Sequence, residues 1–442
     1  MKNYRALIFI IFSILGIVSS SISIIVLNYS NTSWNYFLTE NPDEQFSTCA
    51  MSENGNFVVV GSGNDFLYLF KDDVRVPLWS YKMEDDVVSV DISANGDYIV
   101  ACDCIGNVLL FSRRYPVPIW SFKGNQHSIA KISANGKYVA FLNLGSLYFY
   151  SREENQILWS YAFNVEGYCI DISDDGNEIV VCTDGILCYF EKSKSSPIWQ
   201  YDAKEFMNAL VISPCGELIA FGGQNQRVDL FSNSSSVPFR TYHTSSIVHS
   251  ISISKDKSEI AVLCNGGCYL YNTDDETYLW GYFIGSESSQ VALSSDGNFI
   301  ISGDTSFDEE LSILHCLIKG QNIPLWSIKV KGMINKIAIS NDGNSIGVAT
   351  QQFFYFIDRS NPIIFEWQLF LLNLNCIGLI ISVGSALISG VLILYNLCTK
   401  KLISEIQQER KSHLRLNYCP ICNSLLREQG QEFCESCGSE LI

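Results

Sequence analysis

The residues best suited to chemistry lie near the end of the chain. Cys419 and Cys422 make one Cys-x-x-Cys pair, Cys434 and Cys437 make a second, and eleven residues separate them. Two such pairs at this distance offer four thiolates to one tetrahedral Zn2+, and four protein ligands leave no open coordination position, so the expected ion is structural. Residues 418-442 are too few to bury a sufficient apolar core, and metal binding would contribute the missing folding energy. Two redox disulfides, or four free thiols, are the other readings of the spacing.

No second motif offers comparable chemistry. His127, His243, His249, His315 and His413 show no metal-ligand spacing, and nothing in the chain reads as a phosphate-cradling glycine loop, a nucleophile elbow or a catalytic triad. Isolated Asp and Glu residues read as solvated loop ends. Ten further cysteines occupy the middle of the chain; Cys182 with Cys188, and Cys264 with Cys268, are spaced to face one another across hairpins. Disulfides and small buried hydrophobes are both open readings of these thiols.

These residues must be carried by a chain of 442 residues that is 47% hydrophobic, 13% aromatic and only 17% charged. That balance excludes a disordered chain and points to membrane segments. The net charge of -17 is uneven: residues 29-366 hold 21 Lys and Arg against 40 Asp and Glu, whereas the flanks are slightly basic. A nucleic-acid partner is therefore not expected for the middle region, since phosphate binding needs clustered positive charge.

Ala6 to Leu27 is an uncharged run of 22 residues, enough to span a hydrocarbon core of roughly 30 Å as a helix. A second uncharged run extends from Trp367 to Cys398, with Trp367 and Tyr395 near the ends of its most apolar part. The sequence predicts a transmembrane anchor within residues 1-28 and a second transmembrane helix at 367-398. A cleaved signal peptide is the alternative for the first, given Lys2, Arg5 and the serines at 19-21. Lys2 and Arg5 before the first span, and Lys400, Lys401, Arg410, Lys411 and Arg415 after the second, place both termini in the cytoplasm and residues 29-366 outside it. This is an integral protein of the cell membrane by that reading. Acceptor triplets at Asn28, Asn31 and Asn233 permit glycosylation on the outer side.

Gly378, Ser382, Ala386 and Gly390 recur every four residues and would let a second helix approach, in this chain or in another copy; small residues are also ordinary in membrane helices. Residues 399-417 read as a juxtamembrane linker helix, or as a basic segment resting on the inner lipid surface.

Between the spans one phrase occurs eight times: an aliphatic or Met residue, Ser, two variable positions, usually Gly, then an apolar run. Its serines are Ser52, Ser93, Ser133, Ser173, Ser213, Ser254, Ser294 and Ser340, at spacings of 40 or 41 residues and finally 46. Glycine follows three residues later in every copy except the sixth, which has Lys257. An Asn-Gly or Asp-Gly step of this kind marks a tight turn between antiparallel strands. Each copy then adds two more apolar segments, giving four short strands in about 40 residues, the signature of propeller blades.

The expected fold is all-β, an eight-bladed β-propeller spanning residues 29-366, flanked by two transmembrane α-helices and followed by a small C-terminal zinc ribbon. The fourth strands carry Trp79, Trp120, Trp159, Trp199, Trp280 and Trp326, with Arg240 at the matching place in the fifth copy. Trp34 and Tyr36 repeat the pattern ahead of the first copy, so the early segment is expected to supply the outer strand of the last blade and close the ring.

The phrases PLWSY, PIWSF, ILWSY and PIWQY, each following a segment such as NVLLFS or SLYFY, resemble the tryptophan-bearing repeats of quinoprotein-type propellers, and the Ser-x-x-Gly turn resembles WD-repeat proteins. CPIC, with Cys437-Gly438 after the second pair, resembles a zinc ribbon. The quinoprotein likeness implies eight blades and, in some members, pyrroloquinoline quinone with a bound cation; other members are scaffolds. The chain has no adjacent Cys-Cys pair and no repeat that stands out as a calcium-and-base site. The expected function is membrane-anchored, non-catalytic recognition or scaffolding, with protein partners on both sides of the membrane. A quinone-dependent dehydrogenase and a transmembrane signalling receptor are the alternatives.

Overall fold

The computed structural model describes residues 33-38 and 45-360, apart from residues 73, 164, 166, 285-286 and 306-310. The two apolar spans, the linker at 399-417 and Cys419, Cys422, Cys434 and Cys437 lie outside the described residues. Among the described residues no helix is long and apolar enough to cross a membrane.

Among the described residues, thirty-two strands form eight four-stranded antiparallel sheets. Seven sheets are built from consecutive strands and correspond to the sequence repeats: blades 1 to 7 cover residues 46-82, 87-122, 128-162, 167-202, 207-243, 248-283 and 287-331. The eighth takes three strands from residues 334-358 and its outermost strand, Trp34–Phe37, from the other end of the chain. Trp34 pairs with Phe356 and Phe37 with Phe353 in that sheet, as the repeat count requires. The first strands of successive blades are neighbours around the axis, and apolar side chains of adjacent sheets interlock into cores such as that of Val180, Met207, Ile219 and Phe231 between blades 4 and 5.

The repeated serine owes its place to chemistry at the turn. Each of the eight is almost wholly buried. Ser93 shows the arrangement: its hydroxyl accepts the Tyr98 amide at 3.0 Å and donates to Asn95 Oδ1 at 3.0 Å, while that Oδ1 also accepts the Asp97 amide. A hydroxyl that donates and accepts at once ties the two strands together, which neither Ala nor a carboxylate could do. Only the fourth residue of the turn has a left-handed backbone. Gly96 has φ 72°, and Lys257, the exception, has φ 67° in the same place. The turn geometry is thus kept where glycine is missing, at a steric cost to the lysine.

Most fourth-strand tryptophans hydrogen-bond to the next blade, while Trp120 stacks on Tyr150 of blade 3 with ring centroids 4.1 Å apart. The Trp79 indole donates to the carbonyl of Arg113, Trp159 to Lys192, and Trp199 to Asn233, at 2.7–2.8 Å. Trp34 donates to Asp72 in blade 1 at 2.8 Å, which completes the circle. In blade 5, where Arg240 replaces tryptophan, the Tyr242 hydroxyl takes over and lies 3.0 Å from the carbonyls of Asn272 and Asp275.

The hairpin pairing of cysteines is corrected. Cys182 stands opposite Leu187 and Cys188 opposite Val181, so the two thiols point to different faces of blade 4 and join different cores. Cys264 opposite Gly267 and Cys268 opposite Leu263 repeat this in blade 6. Strand pleating separates residues that loop length alone brings together.

Candidate functional site

The described site candidates lie on the propeller axis and at its two mouths. Two positions before the repeat serine, the inner strands carry Asp91 in blade 2, Lys131 in blade 3 and Asp171 in blade 4. Each aspartate stitches one blade to the next: Asp91 Oδ2 accepts the Ile132 amide at 3.0 Å, and Asp171 Oδ2 accepts the Ile212 amide at 2.9 Å. Ser252 does the same for the Leu293 amide at 3.1 Å. Lys131 is set between the carboxylates, and Asp91 holds its ammonium above the ordinary lysine range against the effect of burial. Burial raises the Asp171 carboxyl, with Lys131 opposing that shift.

A second lysine, Lys336 of blade 8, has no such pair. Its Nζ donates to Gln290 Oε1 at 3.3 Å, and burial, assisted by repulsion from Lys131, lowers its pKa. Burial also pushes the Cys49 thiol up to about 12 and the Cys169 thiol up to about 11. Lys336 acts electrostatically on side chains of blades 1, 2, 3 and 4, which places these groups together at the centre of the ring.

This cluster was not recognised in the sequence, where lone Asp and Glu residues read as loop ends. A signal existed. The position two before the serine is small or aliphatic in most copies, as at Ala50, Val211, Ala292 and Ala338, but charged in three consecutive ones.

Strand direction sorts the connections onto two faces. The Ser-x-x-Gly turns, the links from third to fourth strands, and both ends of the ring at Ser33 and Ser360 share one face. On that face the residues after the serines join blade to blade around the axis. Glu53 N donates to Ala94 O at 2.9 Å and Ala94 N to Ala134 O at 2.9 Å; Asp174 N donates to Pro214 O at 2.9 Å, and Asn341 N to Glu53 O at 2.8 Å. Pro214 has no N–H to continue the series toward blade 6. Across this mouth reaches Lys255, its Nζ 3.5 Å from Glu53 Oε1 of blade 1 and 3.7 Å from Asp174 Oδ2 of blade 4. Beside it, an open polar groove between blades 5 and 6 is lined by Glu217, Asp256, Lys257, Asp274 and Phe239.

The opposite face is acidic between blades 1 and 2. Carboxylate oxygens of Asp65, Asp85 and Asp86 all lie within 4.8 Å of one another. Burial, Asp85 and Asp65 together raise the Asp86 carboxyl, and Lys82 approaches Asp65 at 3.7 Å. Three half-buried carboxylates are the donor type that a hard divalent cation prefers. The buried histidine, His315, is structural: its Nδ1 is 2.8 Å from Ser327 Oγ and its ring meets Tyr282 edge-on.

The described residues thus define an eight-bladed β-propeller with a charged axis lined by half-buried Asp91, Lys131, Asp171 and Lys336. No protein-family model and no curated protein matches the chain. The axis does not fit a quinone held over a calcium ion, because its two carboxylates are already engaged by backbone amides and Lys131, and the acidic triplet lies between blades rather than on the axis.

Proposed function

We propose that this chain is a membrane-anchored, non-catalytic recognition or scaffold protein, whose propeller meets a partner outside the cytoplasm and whose zinc ribbon contacts a protein inside. The observation that supports it most is the adjacency of the two ends of the ring: the Asp358 amide donates to Ser33 Oγ at 2.9 Å. Uncharged segments at 6-27 and 367-398 lie within a few residues of these ends in the sequence, which suits two anchors on the face that carries Ser33 and Ser360. The opposite face, with Asp65, Asp85, Asp86 and the nearby Glu84, is then free to meet a cationic or polar partner, which suits an acidic surface.

Two exposed native cysteines provide the test, Cys104 on the opposite face and Cys215 on the terminus-bearing one. A membrane-impermeant maleimide applied to intact cells should label both, and should reach Cys419, Cys422, Cys434 and Cys437 only after permeabilisation and metal removal. Labelling of Cys104 and Cys215 only after permeabilisation would reverse the orientation. A photo-crosslinker at Asp85 should then capture a partner that one at Asn95, on the other face, does not.

A further inference from the structure

The thiols that the strands do bring together are Cys169 and Cys182. They are directly opposite each other on the first two strands of blade 4, Gly167–Ile172 and Glu178–Thr183. A bulge between Gly167 and Cys169 sets that register. No other opposed pair in the described strands holds two cysteines; in blade 2 the matching positions are Ser89 and Cys102. Directly opposed residues of antiparallel strands have Cα atoms about 4.5 or 5.5 Å apart, and both distances fall within the range of about 4.4–6.8 Å that a disulfide spans. The two side chains share a face, since Cys169 packs against the core that encloses Cys182. This is what the hairpin pairs Cys182/Cys188 and Cys264/Cys268 lack.

The two sulfurs differ in access. Cys182 is fully buried, with its Sγ 3.1 Å from the Met207 carbonyl. Cys169 is half-buried at the axis, where burial raises its thiol pKa and Lys336 and Lys131 oppose that rise only in part. Cys169 is therefore the sulfur that a small reagent meets first, and Cys182 the one that resolves.

We propose that Cys169 and Cys182 form a dithiol–disulfide pair, closed by a small-molecule disulfide and reopened by a small thiol, that staples the inner strands of blade 4. The Cys169 thiolate attacks one sulfur of the small disulfide, breaking its S–S bond and releasing one thiolate. Cys182 gives its proton to that leaving thiolate and attacks the Cys169 sulfur of the mixed disulfide, forming the Cys169–Cys182 bond and expelling the second small thiolate, which takes a proton from water. The two cysteines lose two electrons and the small disulfide becomes two thiols. Exchange of this kind is slow for thiols whose pKa lies well above ambient pH, so the pair should respond over hours at pH 7 and faster in mild alkali.

The test uses the full chain in detergent, incubated with hydroxyethyl disulfide at pH 8 and then alkylated under denaturing conditions. Acid-directed proteolysis cuts at Asp171, Asp174, Asp175, Glu178 and Asp184, separating Cys169, Cys182 and Cys188 into different peptides. The expected product is one linked pair, Cys169 with Cys182, lighter by two hydrogens, that disappears on treatment with dithiothreitol. A rise in the unfolding midpoint should accompany its formation and be absent in Cys169→Ser. Recovery of both cysteines as alkylated thiols, while Cys104 and Cys215 carry the reagent, overturns the proposal, as does linkage of either to Cys188 or Cys49. The peptide readout is made on the wild type and does not depend on any variant folding.

Discussion

The Asp358 amide donates to the hydroxyl of Ser33 at 2.9 Å, across 325 residues of chain. Beside this bond Trp34 is 2% exposed and stacks on Phe356 with ring centroids 5.4 Å apart. The ring is held shut by a four-residue strand from the far end of the sequence, which completes the last blade and packs Trp34 against Phe70 of the first.

Trp34→Ala should therefore destabilise the whole propeller and not a peripheral tail. Replacing a buried tryptophan costs about 3–5 kcal/mol, here with the bond to Asp72 lost as well. Calorimetry should show one cooperative transition moved to lower temperature. An unchanged transition would mean that the closure carries no stability.

Two lysines of the same axis should respond in opposite directions. Lys131→Met leaves Asp91 and Asp171 without their counter-charge and should cost on the order of 3 kcal/mol. Lys336→Met removes an ammonium that burial already disfavours and should be neutral or stabilising. Denaturant titration of the two variants decides the matter, and equal losses would reject the pairing described above.

The pH dependence follows from the same shift. Lys336 has a folded-state pKa below its unfolded value, so between the two values the unfolded chain binds more protons and stability rises with pH. The wild type should gain this increment on moving from neutral pH toward the unfolded lysine pKa, and Lys336→Met should lack it. Lys131, shifted upward, acts with the other sign: its contribution is complete below the unfolded value and is lost as pH rises through the folded one.

Lys257→Gly should stabilise the ring by about 1 kcal/mol, because φ 67° is costly for a side-chain-bearing residue and free for glycine. The exposed pair of Lys257 with Glu217 offsets little of this. The reverse change at Gly216, φ 76°, should destabilise, since an added Cβ would crowd Glu178. Unfolding midpoints of the two variants provide the check.

Metal analysis of the full chain should find one equivalent of zinc, bound through Cys419, Cys422, Cys434 and Cys437 and structural in role. Cys434→Ser should lose most of it and leave the unfolding of the propeller unchanged. Less than half an equivalent in the wild type would remove the ribbon assignment.

The sequence by itself determined the blade count, the position of the eight Ser-x-x-Gly turns and the strand that closes the ring. These are local matters. A Ser-x-x-Gly phrase carries its own hydrogen bonds within six residues, and Trp34 is recognisable because it repeats the Trp-x-aromatic spacing of the other blades. Tertiary structure decided what distant copies do to one another. Lys131 matters because Asp91 and Asp171 lie about one repeat away on either side, and Lys255 because the ring folds Glu53 and Asp174 to within 4 Å of one ammonium. The cysteines divide in the same way: loop length suggests Cys182 with Cys188, but a bulge and the two-residue pleat send Cys188 to the other face and set Cys182 opposite Cys169. Periodicity reports what each repeat shares, whereas the axis is made from the positions at which repeats differ, and only closure of the ring brings those positions together.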